Sequence, residues 1–335
     1  MRPRRVRASL LSSLAASVAL AACTAGTGDR RSPAGMPPAP AAPSSSVAHV
    51  PPESLEPVPP LSSRCGFDDA SGPLLLRWTG ARAPLVRRGP PEQPRARLVA
   101  DARDARGTTT ELFVDTGTSC AFVSMTAPAA STATMDRRRL RLSANDGASS
   151  FDGRDGVLPS LDVGGLVAQQ VPAFFLERGH DLRRPANIAG MAWLGSLALV
   201  HDAAGDRWAL EQGTSPNTDA RPGTVRLEAP GFPVVALVDE RGRRVFALVD
   251  TGTPTSLVRR TSRPGRYRLF DARGALCLEV DAKTTAPWTG LTPRGRDVEV
   301  WIGLDDLARA SFRLDFAAGT WWFPTPAPAA PPTPR

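Results

Sequence analysis

The segment Arg106–Thr118 returns without a gap as Arg241–Thr253, 135 residues further along the chain. Each copy reads as an Arg-Gly turn, an apolar strand ending in Val, and then Asp-Thr-Gly-Thr. The first motif is Asp115, Thr116, Gly117 and Thr118, and the second is Asp250, Thr251, Gly252 and Thr253. Upstream, Val99 and Ala100 fall opposite Val234 and Val235 at the same offset. Self-similarity of this kind is the signature of a duplicated structural unit. The Arg-Gly pairs supply hairpin turns, because glycine is free to take positive φ.

A second pair of landmarks lies downstream. Gly190 of Ile188-Ala189-Gly190 stands 12 residues before Asp202, and Gly303 of Trp301-Ile302-Gly303 stands 12 before Asp315. Trp208 and Trp321 follow, six residues after each Asp, and read as core or interface residues. Leu304, Leu307 and Ala308 share one face of a short helix by their three-and-four spacing. Phe312–Phe316 alternates apolar and polar, as a half-buried strand does. Each half has another hairpin signal, Asn145-Asp146-Gly147 in the first and Arg273-Gly274 in the second. Cys120 and Thr255, at matching places after the motifs, read as strand residues. Gly190 lies 75 residues after Asp115 but Gly303 only 53 after Asp250, which places an insertion within Ala148–Ala186. The folded region is thus two related β-rich halves, 95–212 and 222–323. A leading segment, 65–94, precedes them, and Leu74–Val86 within it is suited to add a strand.

The two ends have a different composition. Of the 34 prolines in this 335-residue chain, 17 sit in residues 1–60 and 324–335. Without 1–64 and 324–335, 259 residues remain, enough for a sizeable core. Residues 1–22 read as an export signal, with an Arg-rich start and a modestly apolar stretch from Ala8 to Ala22. The closing Leu20-Ala21-Ala22-Cys23 resembles the lipobox of bacterial lipoproteins. That resemblance implies lipid attachment at Cys23, and Thr24 after it implies sorting to the outer membrane of a bacterial cell envelope, facing the periplasm or the surface. The other reading is an ordinary secretory signal with a coincidental cysteine. Residues 23–64 hold too few large apolar side chains to offset their ordering entropy and read as a disordered Pro/Ala/Ser tether. Residues 324–335 read as a disordered tail. No apolar run reaches the roughly 20 residues of a spanning helix, so the expected membrane contact is the N-terminal lipid.

The formal charge is +8, but Arg2, Arg4, Arg5 and Arg7 belong to the export signal, leaving about +4. Lys283 is the only lysine, and Arg137-Arg138-Arg139 stands without interleaved aromatics. That run reads as a solvated surface, so no nucleic-acid partner is expected. With Cys23 acylated, Cys65, Cys120 and Cys277 remain, and one disulfide plus a free thiol or three free thiols are both open. His49, His180 and His201 have no metal-ligand spacing, and no GxSxG motif occurs. Neither a metal nor a cofactor is expected.

The doubled Asp-Thr-Gly carries the chemistry. Hydrolysis by water without a metal or a covalent intermediate needs one group to act as base and another as acid. Two carboxylates about 3 Å apart cannot both ionise, so they hold one proton and supply both roles. Here the sequence resembles the aspartic peptidases, specifically the bacterial retropepsin-like group, over most of 95–323. The match rests on Phe113-Val114-Asp115-Thr116-Gly117-Thr118, on Leu248-Val249-Asp250-Thr251-Gly252-Thr253, and on the two apolar-apolar-Gly elements. It implies an all-β fold of two retropepsin-like or pepsin-like β-barrel halves about a pseudo-twofold axis, with one short helix per half. It also implies Asp115 and Asp250 as the catalytic pair and Thr116 and Thr251 interlocked beneath them. Gly117 and Gly252 are expected to let backbone N–H groups approach the carboxylates, and Thr118 and Thr253 are expected to donate hydroxyl hydrogen bonds to them. Because both copies share one chain, a monomer acting on an extended peptide or unfolded protein segment is expected. Tyr267 is the only tyrosine, so a first-half flap tyrosine of the pepsin kind is missing. Three functions stay open: a lipid-anchored aspartic endopeptidase, an inactive peptide-binding module of the same fold, and a structural envelope lipoprotein.

Overall fold

The computed structural model of the chain describes residues 76–324 apart from 90–92, 94, 144–149, 178–186, 215–220, 230–231 and 287–292. The expected export signal, Cys23, the tether, Cys65, His49, His180, the Asn145–Gly147 turn and all but the first residue of the tail lie outside the described residues.

Burial patterns show how the strands are used. Arg82–Arg88 alternates, with Ala83 and Leu85 inward and Arg82, Pro84, Val86 and Arg88 outward, as a strand with one wet face should. The two motif strands, Thr109–Val114 and Arg244–Val249, begin exposed but end in three consecutive buried residues. Leu112–Val114 and Ala247–Val249 are covered on both faces, so each strand sinks into the molecule just ahead of its Asp. Each is reached through a tight hairpin with glycine at positive φ, Gly107 at 76° and Gly242 at 78°.

Both halves then repeat one unusual crossing. The apolar-apolar-Gly strand slots between the motif strand and the strand after the motif. Ile188 and Ala189 pair in parallel with Phe113 and Val114, while Ile188 also pairs antiparallel with Phe122. Trp301 and Ile302 pair in parallel with Leu248 and Val249, while Trp301 also pairs antiparallel with Leu257. A one-turn helix follows each, Met191–Leu194 and Leu304–Leu307. No helix among the described residues is long and apolar enough to cross a membrane.

A six-stranded antiparallel layer joins the halves. Its order is Thr224–Arg226, Thr320–Trp322, Phe312–Asp315, Leu197–Asp202, Arg207–Gln212 and Arg82–Arg88. The two central hairpins come one from each half, and the outermost strands are the ones that lead into each half. The expected alternation of Phe312–Phe316 fails at Asp315, which is buried because its carboxylate accepts Thr214 N–H at 2.9 Å, Thr214 Oγ1 at 2.8 Å and Ala318 N–H at 2.9 Å. The first half spends its extra length on the hairpin of Ser150–Val163 with Leu166–Leu176. The corresponding second-half strands are short, Gly265–Phe270 and Leu276–Ala282. The fold is all-β, two related halves about a pseudo-twofold axis with one short α-helix in each among the described residues.

Candidate active site

Each Asp-Thr-Gly leaves its buried strand at the junction of the halves. Asp115 N–H bonds Ala189 O, and Asp250 N–H bonds Ile302 O, both at 3.0 Å. The strand of each apolar-apolar-Gly element therefore fixes where the aspartate's backbone stands. Beneath the pair the threonines interlock reciprocally. Thr116 N–H donates to Thr251 Oγ1 and Thr251 N–H to Thr116 Oγ1, both at 3.1 Å. Thr116 Oγ1 donates on to Val249 O at 2.7 Å and Thr251 Oγ1 to Val114 O at 2.8 Å. Both threonines are fully buried, so these bonds form away from water, where an unmade one is expensive. Bonds that exchange partners under a swap of halves are the local signature of the twofold axis.

The two carboxyl groups face each other over the glycines. A Cβ on Gly117 would stand 2.8 Å or less from Oδ1, Cγ and Oδ2 of Asp250. One on Gly252 would stand 2.7 Å or less from the same atoms of Asp115. Each carboxylate thus rests on the bare Cα of the opposite half. The carboxyl group of Asp250 is hydrogen-bonded to Asp115. Burial pushes Asp250 up to about 8, and the repulsion of the Asp115 charge adds to that push. Such a pair carries one proton near neutrality, shared between the two carboxyl groups.

The donors around the pair are unequal. Asp115 accepts Gly117 N–H at 2.9 Å and Thr118 Oγ1 at 2.8 Å. Asp250 accepts the equivalent Gly252 N–H at 2.8 Å. The second hydroxyl departs from the expected pattern. Thr253 Oγ1 donates to Thr255 O at 2.9 Å rather than to Asp250, because the loop after the second motif folds a carbonyl back within its reach. Cys120 and Thr255 also differ from expectation, both lying in bends between the motif and the next strand. Cys120 is disulfide-bonded and Cys277 is free, which matches the first of the two cysteine arrangements. His201 is buried, stacked on Trp208 at 3.9 Å with Nδ1 at 2.7 Å from Ala310 O, away from the carboxylates' hydrogen bonds.

Residues 104–193 match the family model described as Aspartyl protease. That span runs from the first Asp-x-Arg-Gly turn through Asp115 to the helix after Gly190. Among solved structures, the chain is similar to the aspartic proteinase from Irpex lacteus at 14% identity and a TM-score of 0.49, covering 75% of this chain and 99% of that one. It is also similar to Basic 7S globulin from soybean at 11% identity and a TM-score of 0.49, covering 75% of this chain and 95% of that one. No curated protein matches the chain.

Proposed function

We propose that the chain is an aspartic endopeptidase of the retropepsin-like kind that cleaves extended peptide segments. The observation that carries this reading is the pair of carboxyl groups meeting across the axis, each against the glycine of the opposite motif. In the resting state Asp115 is the carboxylate, stabilised by Gly117 N–H and Thr118 Oγ1. A water between the two gives a proton to Asp115 and its oxygen adds to the scissile carbonyl carbon. Asp250 gives its proton to the carbonyl oxygen, which yields a neutral gem-diol. The roles then reverse: one diol hydroxyl returns its proton to Asp250, Asp115 protonates the departing nitrogen, and the C–N bond breaks. No charge accumulates on substrate, and the pair ends in its starting protonation.

The cellular reading is likewise our own. The chain is exported and held at the cell envelope by lipid on Cys23. A disulfide at Cys120 supports export, since such bonds persist in oxidising compartments. The test uses the purified full chain with an unfolded protein as substrate. Hydrolysis is expected below about pH 8, falling as Asp250 loses its proton. Asp115→Asn and Asp250→Asn should each lower turnover roughly 10²–10⁴-fold. Full activity in either variant ends the assignment. Peptide binding without turnover in the wild type would return the chain to the binding-module reading.

A further inference from the structure

The loop that carries each motif into the following strand is clamped alike at its start. Met191 N–H and Ala192 N–H bond Thr118 O and Ser119 O, both at 2.8 Å. Leu304 N–H and Asp305 N–H bond Thr253 O and Pro254 O at 3.0 and 2.9 Å. One or two residues later the halves part. In the first, Cys120 is disulfide-bonded, and the next residue, Ala121, is fully buried. The matching helix position in that half is Trp193, also buried. In the second half the equivalent positions are Ser256 and Asp306, each 3% exposed.

Ser256 Oγ accepts Gly303 N–H at 2.9 Å and donates to Asp306 Oδ2 at 2.5 Å. The same oxygen of Asp306 accepts Asp281 N–H at 3.2 Å. Arg309 Nη1 stands 2.8 Å from Oδ1 as an ion pair outside hydrogen-bonding geometry. Asp306 therefore joins the motif loop, the helix Leu304–Leu307 and the strand Leu276–Ala282. The first half shows that this joint closes with Ala and Trp. A buried carboxylate is a poor choice for stability alone, because desolvation offsets much of its attraction. What it adds is direction.

Asp250 needs that direction more than Asp115 does. The Thr253 hydroxyl is committed to Thr255 O, so Gly252 N–H is the donor that Asp250 takes from its own motif. Its orientation then depends on the loop backbone and on Ile302 O, which holds Asp250 N–H. Ile302 leads straight into Gly303, the group that Ser256 grips. We propose that Ser256 and Asp306 are positioning residues for Asp250: Asp306 fixes the Ser256 hydroxyl, and that hydroxyl fixes the loop from which Asp250 projects. In the first half a covalent bond at Cys120, one residue before the position that matches Ser256, lies in the corresponding loop. The inference rests on the reading of Asp250 as the acid of the reaction.

Ser256→Ala, Asp306→Asn and Asp306→Leu in the full chain test it, with kcat, KM and the upper limb of the pH profile as readouts. Among the described residues, the charged group facing Asp250 is Asp115, and Arg309 is ion-paired with Asp306. Ser256→Ala should lower kcat about ten- to a hundredfold, leave KM within about twofold, and move the upper limb. Asp306→Asn keeps an acceptor for both Ser256 and Asp281 N–H and should recover most of kcat. Asp306→Leu should match Ser256→Ala; if it does not fold, Ser256→Ala decides. Wild-type kcat and an unmoved limb in Ser256→Ala overturn the proposal, as does Asp306→Asn losing as much as Asp306→Leu. A wild type without turnover would end the catalytic reading instead. The positioning is then read from the pH dependence of thermal stability relative to Asp250→Asn. Ser256→Ala should shift that titration, and an unshifted one overturns the proposal.

Discussion

The two halves use one backbone plan and different side-chain chemistry. Strand, turn, threonine interlock and glycine contact repeat closely enough that each half could be drawn from the other. The asymmetries lie one layer out. Thr118 bonds its own aspartate while Thr253 bonds a loop carbonyl. The first half has a disulfide after the motif, and the second a buried Ser–Asp pair. Symmetry of the backbone brings two equal acids together, and in the proposed mechanism asymmetry of the neighbours makes one a base and the other a proton donor. The largest effects should therefore be symmetric. Gly117→Ala places a Cβ against the Asp250 carboxyl group, and Gly252→Ala places one against Asp115. Each should lower kcat by about a hundredfold or more, since a misplacement near 1 Å is enough. Steady-state kinetics on the pair checks this, and a large difference between them would mean the halves are not equivalent at the axis.

Titration should break the symmetry. Asp250 sits at about 8 in the folded chain, above its ordinary value of 3.8. The folded state thus holds this proton more tightly than the unfolded state. Stability from the group is whole below about pH 4 and is lost as pH rises through about 8. Asp250→Asn has nothing to ionise, so its stability relative to wild type should climb over that window. The gain should be on the order of a few kcal/mol by pH 8 and vanish near pH 3. Urea unfolding at pH 3, 5 and 8 measures it. Asp115→Asn removes the repulsion that helps raise Asp250, so the residual pH dependence should shift to lower pH.

The interlock should be symmetric but not additive. Thr116→Val strands Thr251 N–H, and Thr251→Val strands Thr116 N–H, in a fully buried site. Each should destabilise by about 1–3 kcal/mol. The double variant should fall short of the sum, because the two hydroxyls also meet each other at 3.4 Å, a contact that either single change already removes. Thermal denaturation of the four proteins decides it.

Much of this was legible in the sequence, since the decisive features are local or duplicated. The Asp-Thr-Gly pairs, the glycines at positions 190 and 303 and the Arg-Gly turns could be read because turn chemistry and close backbone approach leave little choice of residue. The aspartates that complete those turns were missed. Asp104 and Asp239 each accept the N–H groups two and four residues on at 2.8–2.9 Å, and Asp271 repeats the pattern. The signal Asp-x-Arg-Gly occurs three times, and its Asp specifies the turn as much as its Arg-Gly does. The pairing of Arg82–Arg88 into the layer that joins the halves was beyond such reading, because its partner Arg207–Gln212 is set by tertiary packing. The aim of the Thr253 hydroxyl was equally hidden. It depends on where Thr255 O falls, and the two residues after each motif share no sequence across the halves.

That hydroxyl gives the smallest and sharpest test of the comparison. Thr118→Ala removes a donor from a partly buried carboxylate and should lower kcat about tenfold, near 1–2 kcal/mol. Thr118→Ser keeps the donor and should recover it. Thr253→Ala removes a bond within a loop and should change kcat less than about twofold. The contrast is what matters, because each threonine occupies the same place in its motif. If Thr253→Ala matched Thr118→Ala, the hydroxyl would have to swing from Thr255 O onto Asp250 once substrate is bound. The proton would then be free to rest on either acid, and the division of roles would belong to the substrate complex rather than to the fold.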